Sequence, residues 1–251
     1  MTNKYLMAGI ILFAIITFIS SAVLFANYIN MSSQDTVITQ SPVSIPFEQD
    51  LAQVQQSDLE NHAETLNIDP DTTLSSAEIS DLIYMREEEK LARDVYITLY
   101  NTWGLQIFNN ISSSEQTHTD SIKTLLDNYS IEDPFINEIG KFSNSDLQAL
   151  YTQLVNKGNV SVTEALTVGA LIEDLDITDL DKTITRTENS SIISVYENLQ
   201  RGSRNHIRSF TQTLSRYGVS YSPTYLTESE YLEIISGGTE SGSGLGNKGG
   251  R

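Results

Sequence analysis

The chain has 251 residues, and 15 Lys+Arg against 33 Asp+Glu leave a net charge of −18, which argues against a nucleic-acid-binding surface. This length leaves room for one or two domains, and 39% hydrophobic residues suffice for a core. Cysteine is absent and the histidines are His62, His118 and His206. Disulfides, thiolate metal sites and cysteine nucleophiles are therefore excluded, and any metal site has to rest mainly on carboxylates.

The stretch Leu6–Ile29 holds no charged residue and is long enough, at about 1.5 Å per residue, to cross about 30 Å of hydrocarbon. It is expected to be one transmembrane helix, retained as a cell-membrane anchor. Cleavage as a signal peptide, with secretion of the rest, is the alternative. Lys4, the only cation ahead of the span, would stay in the cytoplasm and leave the remainder on the extracytoplasmic side. From Asn30 to about Thr73 the chain is rich in Ser, Gln, Asp and Thr and contains Pro42, Pro46 and Pro70. That composition predicts a solvated linker with His62 as a surface histidine.

From about Leu74 to Ser236 the apolar residues recur at helical spacing, which predicts an all-α domain. A first helix should begin at Ser75 or Ser76, with Glu78 in its opening turn, and end at Trp103 before Gly104. A second covers roughly Ile107 to Tyr129 and is followed by a turn at Asp133-Pro134; a shorter one runs from about Ser145 to Asn156 and stops at Gly158. Ser161 and Glu164 form a capping-box pattern ahead of a further long helix reaching about Asp179. The last long helix begins near Asn189 or Ser190 and stops before Gly218, and Thr227 with Glu230 caps a short final one. Four long helices with a crossover between the second and third are the parts of a four-helix bundle. Gly237–Arg251 is too poor in apolar groups to order itself, and a disordered tail is expected.

Polar residues interrupt the apolar stripes of this bundle. In the second helix Ile111, Glu115, His118, Ile122 and Leu125 share one face, so Glu115 and His118 point into the core. In the first, Met85, Glu89, Ala92, Tyr96 and Leu99 make a stripe that turns Glu89 inward, while Tyr84, Glu88, Leu91 and Val95 make Glu88 its competitor. Glu87 and one other of this acidic run are expected to be solvated, because successive helical positions differ by about 100°. The third long helix offers Glu173 and Asp176 beside Gly169, with Asp174 and Asp179 read as surface acids. The fourth keeps Val195, Leu199, Gly202, His206 and Phe210 on one face and brings His206 inward. Glu89, Glu115, His118, Glu173, Asp176 and His206 thus form a convergent ligand set for two iron or manganese ions, because oxygen-rich sites suit these metals. Buried carboxylates without such a partner would be costly.

At these residues the sequence resembles the ferritin-like superfamily, and more closely the DUF2202 family within it. The blocks MREEEKLARDVY, NISSSEQTH, VGALIEDLDITDL and NLQRGSRNHIRSF carry the resemblance across about Leu82 to Phe210. Glu89-x-x-Ala92-x-x-x-Tyr96 is also similar to the first ligand helix of rubrerythrin-like proteins, which favours Glu89 over Glu88. The resemblance implies a carboxylate-bridged di-metal centre. The chain departs from it at Ser203, where ferritin-like proteins have the Glu of a Glu-x-x-His pair, and Asp176 is the available substitute.

The expected function is that of a membrane-anchored di-iron or di-manganese protein of redox type, oxidising iron or reducing O₂ or H₂O₂. Tyr96 would serve as a hydrogen-bonding neighbour of the ligands, as a radical trap or as core filling. Lacking cysteines for a rubredoxin-like domain, the chain would take electrons from a separate donor. Metal storage or sensing without turnover and a metal-free interaction bundle are the alternatives, and a homodimer is the assembly left open.

Overall fold

The structure, a computed structural model, describes residues 73–241. The expected membrane span, the linker up to Thr72, His62 and residues 242–251 lie outside the described residues. Six helices make up the described part, and no strand occurs among these residues: α1 Ser76–Trp103, α2 Gln106–Asn128, α3 Ser145–Gly158, α4 Val162–Ile184, α5 Ser190–Arg216 and α6 Glu228–Ser236. None of them is long and apolar enough to cross a membrane.

Local chemistry sets the helix ends. Ser75 and Glu78 cap α1 reciprocally, as do Thr227 and Glu230 for α6. Ser161 caps the Glu164 amide of α4 without the return bond of a full capping box. Gly104 ends α1 in the left-handed conformation at φ 67°, which glycine adopts without strain, so α1 and α2 form a tight hairpin. Asn144 and Asn189 cap α3 and α5 through their side-chain oxygens.

α1 packs along α2, and α4 along α5; the two hairpins then meet through α1 with α4 and α2 with α5. The bundle core is one apolar cluster, with the rings of Tyr96, Phe108 and Phe210 at its centre, their centroids 5.3 to 6.2 Å apart. α3, in the crossover, lies against α1 and α4, while α6 lies against α5.

The charged run of α1 is buried throughout, contrary to the expectation of solvated positions: Glu87, Glu88 and Glu89 are 2%, 5% and 1% exposed. The reason is that α1 is covered on several sides. The crossover comes over its outer face, where Glu87 accepts the Ser143 and Asn144 amides at 2.5 and 3.0 Å. Lys90 is sealed beneath the same segment, donating to Asp94 at 2.5 Å and to the Glu138 and Lys141 carbonyls at 3.0 Å each. Asp174 and Asp179, expected at the surface, are buried too. Asp174 accepts Tyr221 Oη and the Thr224, Tyr225 and Leu226 amides, which fastens the segment ahead of α6 to α4. Asp179 takes Lys182 at 2.7 Å. The tail expected to be disordered from Gly237 begins as a held strap, because Glu240 is bound by Arg204 and Arg208.

Candidate metal centre

The apolar stripes of α1, α2, α4 and α5 carry five ionisable side chains to one point in the bundle. Glu89 comes from α1, Glu115 and His118 from α2, Glu173 from α4 and His206 from α5, and each is at most 1% exposed. They form two groups with metal-ligand spacing: Glu89, Glu115 and His118, and Glu115, Glu173 and His206, each offering atoms within 4.8 Å of one another. Glu115 belongs to both. Its Oε2 lies 2.9 Å from His118 Nδ1 and its Oε1 lies 2.8 Å from His206 Nδ1. The outer acids complete the pattern, with Glu89 Oε2 at 3.3 Å from His118 Nδ1 and Glu173 Oε2 at 3.4 Å from His206 Nδ1.

The surrounding residues fix both imidazoles with Nδ1 toward the acids. His206 Nε2 meets Ser114 Oγ at 3.0 Å. His118 turns its Nε2 edge to the backbone of α5 at Gly202, where an added Cβ would stand 2.5 Å from that nitrogen. The two rings stack with centroids 5.6 Å apart. On the far side Tyr96 Oη donates to Glu173 Oε1 at 2.5 Å and reaches the Gly169 carbonyl at 3.3 Å. Gly169 leaves room for the Phe210 ring, the close approach its sequence position suggested. Tyr96 is thus a hydrogen-bonding neighbour of the site. Ser114 was missed by the sequence reasoning, because it sits in a Ser-rich run without distinguishing signal; Gly202 was placed on the inward stripe, but its close approach to His118 was not read from it.

Asp176, the sixth expected member, stands outside both groups. Its Oδ2 accepts Ser203 Oγ at 2.5 Å, and its Oδ1 has no hydrogen-bond partner among the described residues. Aspartate is one methylene shorter than glutamate, and Ser203 holds one of its oxygens. Glu88 also lies outside the groups, beside Tyr84.

Burial and mutual contact move four of the five clustered groups away from their ordinary values. Burial alone would raise the Glu115 carboxyl, but His118 and His206 outweigh it and hold the group well below the usual range. Burial would lower His118, yet Glu115 and Glu89 push it up to about 10. Burial drives Glu89 up to about 8 against the pull of His118. Burial and the neighbouring Glu115 likewise raise Glu173. Glu89 Oε1 has no hydrogen-bond partner among the described residues. Three buried acids with two imidazoles and an orphaned carboxylate oxygen fit a metal better than a closed hydrogen-bond network, because unpaired buried carboxylates are otherwise costly.

The comparisons with known proteins name a family but no activity. The chain is 57% identical over 174 residues to the "Uncharacterized protein MJ0754" of Methanocaldococcus jannaschii, covering 69% of this chain and 94% of that one. A solved structure, titled "Crystal structure of hypothetical protein MJ0754 from Methanococcus jannaschii DSM 2661", matches with a TM-score of 0.68 at 56% identity, covering 69% of this chain and all of that chain. The sequence model of one family, described as "Uncharacterized protein domain (DUF2202)", matches residues 78–238, which include every side chain of the centre. The chain belongs to the DUF2202 family.

Proposed function

We propose that this chain is a ferritin-like four-helix-bundle protein that holds two iron or manganese ions and uses them in redox chemistry, oxidising iron or reducing O₂ or H₂O₂. The observation that carries the reading is Glu115, a single buried carboxylate whose two oxygens face different imidazoles and which belongs to both ligand groups. One ion would take Glu89, His118 and Glu115 Oε2; the other would take Glu173, His206 and Glu115 Oε1. Oxygen-rich sites with one imidazole each favour hard or borderline ions such as Fe and Mn. Bound there, such a pair supplies Lewis acidity and one-electron steps.

The chain's own residues position the ligands and exclude water. Tyr96 fixes the orientation of Glu173 through its 2.5 Å hydrogen bond, and Ser114 holds His206. Phe108 and Phe210 pack on the Tyr96 ring and keep that side of the site apolar. On the same reading residues 6–29 anchor the chain in the membrane with the bundle outside the cytoplasm, and a separate donor supplies electrons.

The test is elemental analysis of the full chain before and after Fe(II) is added in air. About two irons per chain are expected, with both lost in Glu115→Gln, since each position shares that residue. A folded chain that retains neither Fe nor Mn overturns the reading. Retention of two ions without consumption of O₂ or H₂O₂ transfers the assignment to storage.

A further inference from the structure

The ligating side chains are 0–1% exposed, so an ion needs a path to them. A cleft lies between α1, α3 and α4, walled by Leu91, Leu150, Leu154 and Leu175. Two carboxylates interrupt its apolar lining, Glu88 from α1 and Asp176 from α4. Both are only 5% exposed, and Glu88 Oε2 and Asp176 Oδ1 each lack a hydrogen-bond partner among the described residues. Their charged neighbours are mostly acids: Asp179 and Glu89, with Lys182 opposing, act on Glu88, while Glu89, Glu88 and Glu173 act on Asp176. Glu88 is the chain neighbour of Glu89 in α1, and Asp176 lies one helical turn beyond Glu173 in α4, so each cleft acid shares its helix with an outer acid of the metal groups.

Ser203 makes this arrangement possible. Its hydroxyl occupies Asp176 Oδ2 and leaves Oδ1 for another partner. Leu150 and Leu154 are four apart on α3 and cover the cleft from the crossover side, and α3 packs only against α1 and α4 among the elements with substantial contact to it.

We propose that this cleft is the entry route for a divalent cation, in which Glu88 and Asp176 take the ion first and pass it to Glu89 and Glu173. The proposal rests on the metal-binding reading above. Glu88 is then a transit group, absent from the final coordination, and the leucines of α3 form the cover an incoming ion must displace.

The test mixes Co(II) with the metal-free full chain, follows the visible absorption of the bound ion in time, and measures the final metal content separately. Glu88→Gln is expected to slow uptake about tenfold, because an amide is a poorer transient ligand than a carboxyl that can give up its proton to the ion, with the final content unchanged. Leu154→Ala, which thins the cover, is expected to speed it. Glu228→Gln, which removes an exposed acid of α6, serves as the control for overall charge and should leave the rate within about twofold. Uptake by Glu88→Gln at the wild-type rate overturns the route. A reduced final content in Glu88→Gln also overturns it, by making Glu88 a ligand. A wild-type chain that takes up no Co(II), Fe(II) or Mn(II) instead removes the metal-binding reading itself, an outcome distinct from both.

Discussion

Gly202→Ala separates the site from the fold. An alanine Cβ there would lie 2.5 Å from His118 Nε2 and 2.7 Å from its Cε1, whereas ordinary contact begins near 3.4 Å. The ring must therefore retreat by about 0.9 Å, several times the tolerance of about 0.2 Å in a metal–ligand distance. The clash falls on the end of a side chain, so the backbone of α5 has no reason to move. Replacing a glycine inside a helix contributes about 0.5–1 kcal/mol of stability, which offsets the loosened His118–Glu115 contact. Denaturant unfolding of the metal-free chain should place the variant within about 1 kcal/mol of wild type. Equilibrium dialysis with Mn(II) should show the ion beside His118 bound about 10–100-fold more weakly. In a His118→Ala background the substitution should have no further effect on metal binding, since both changes act through one imidazole. Two ions bound with wild-type affinity in Gly202→Ala would refute His118 as a ligand. A collapse of the fold would refute the claim that the strain falls on the side chain.

Three further outcomes are expected. Tyr96→Phe removes the donor to Glu173 Oε1 and should weaken the ion beside His206 by about tenfold while the fold persists, as competition with a chelator would measure. Because His118 is raised from its ordinary value of 6.5 to about 10 in the metal-free chain, its contribution to stability is full below 6.5 and is lost as pH rises through 10. Thermal melts across that range should decline for the metal-free chain, and calorimetry at neutral pH should register proton release on metal binding, because the metal displaces the imidazole proton. Lys90→Met leaves Asp94 without its ammonium partner in a fully buried setting and should cost about 3–5 kcal/mol in urea unfolding; a loss below about 1 kcal/mol would show that Arg93 and the Gly140 amide suffice for Asp94.

The helix starts and the Glu115/His118 pairing were legible in the sequence because both depend on neighbours three or four residues apart, whereas α4 runs on to Ile184, past the end expected near Asp179. Periodicity turned Glu115, His118, Glu173 and His206 inward, while between Glu88 and Glu89 it left a competition that the resemblance to rubrerythrin-like proteins decided for Glu89. Asp176 was also placed inward, but whether an inward acid reaches the common point depends on side-chain length and on a cross-helix partner, Ser203, that periodicity does not encode. The acidic run of α1 was misjudged for a related reason. A helix with one wet face should have left Glu87 solvated, but the crossover folds over that face, and its amides at Ser143 and Asn144 exist as partners only in the tertiary structure. The same applies to Asp174, whose four donors come from residues 221–226, far along the chain.

Glu115 has a mechanical consequence. It belongs to the α1–α2 hairpin, yet one of its oxygens faces His206 of the α4–α5 hairpin. Ions held there would staple the two hairpins together, so that separating them would require releasing metal. An ion present at about 100 times its dissociation constant adds about 2.7 kcal/mol against that opening. Amide hydrogens at the hairpin interface would then exchange at a rate set by the surrounding metal concentration, and so would the chain's susceptibility to proteolysis. The lifetime of the folded chain would become a record of metal supply.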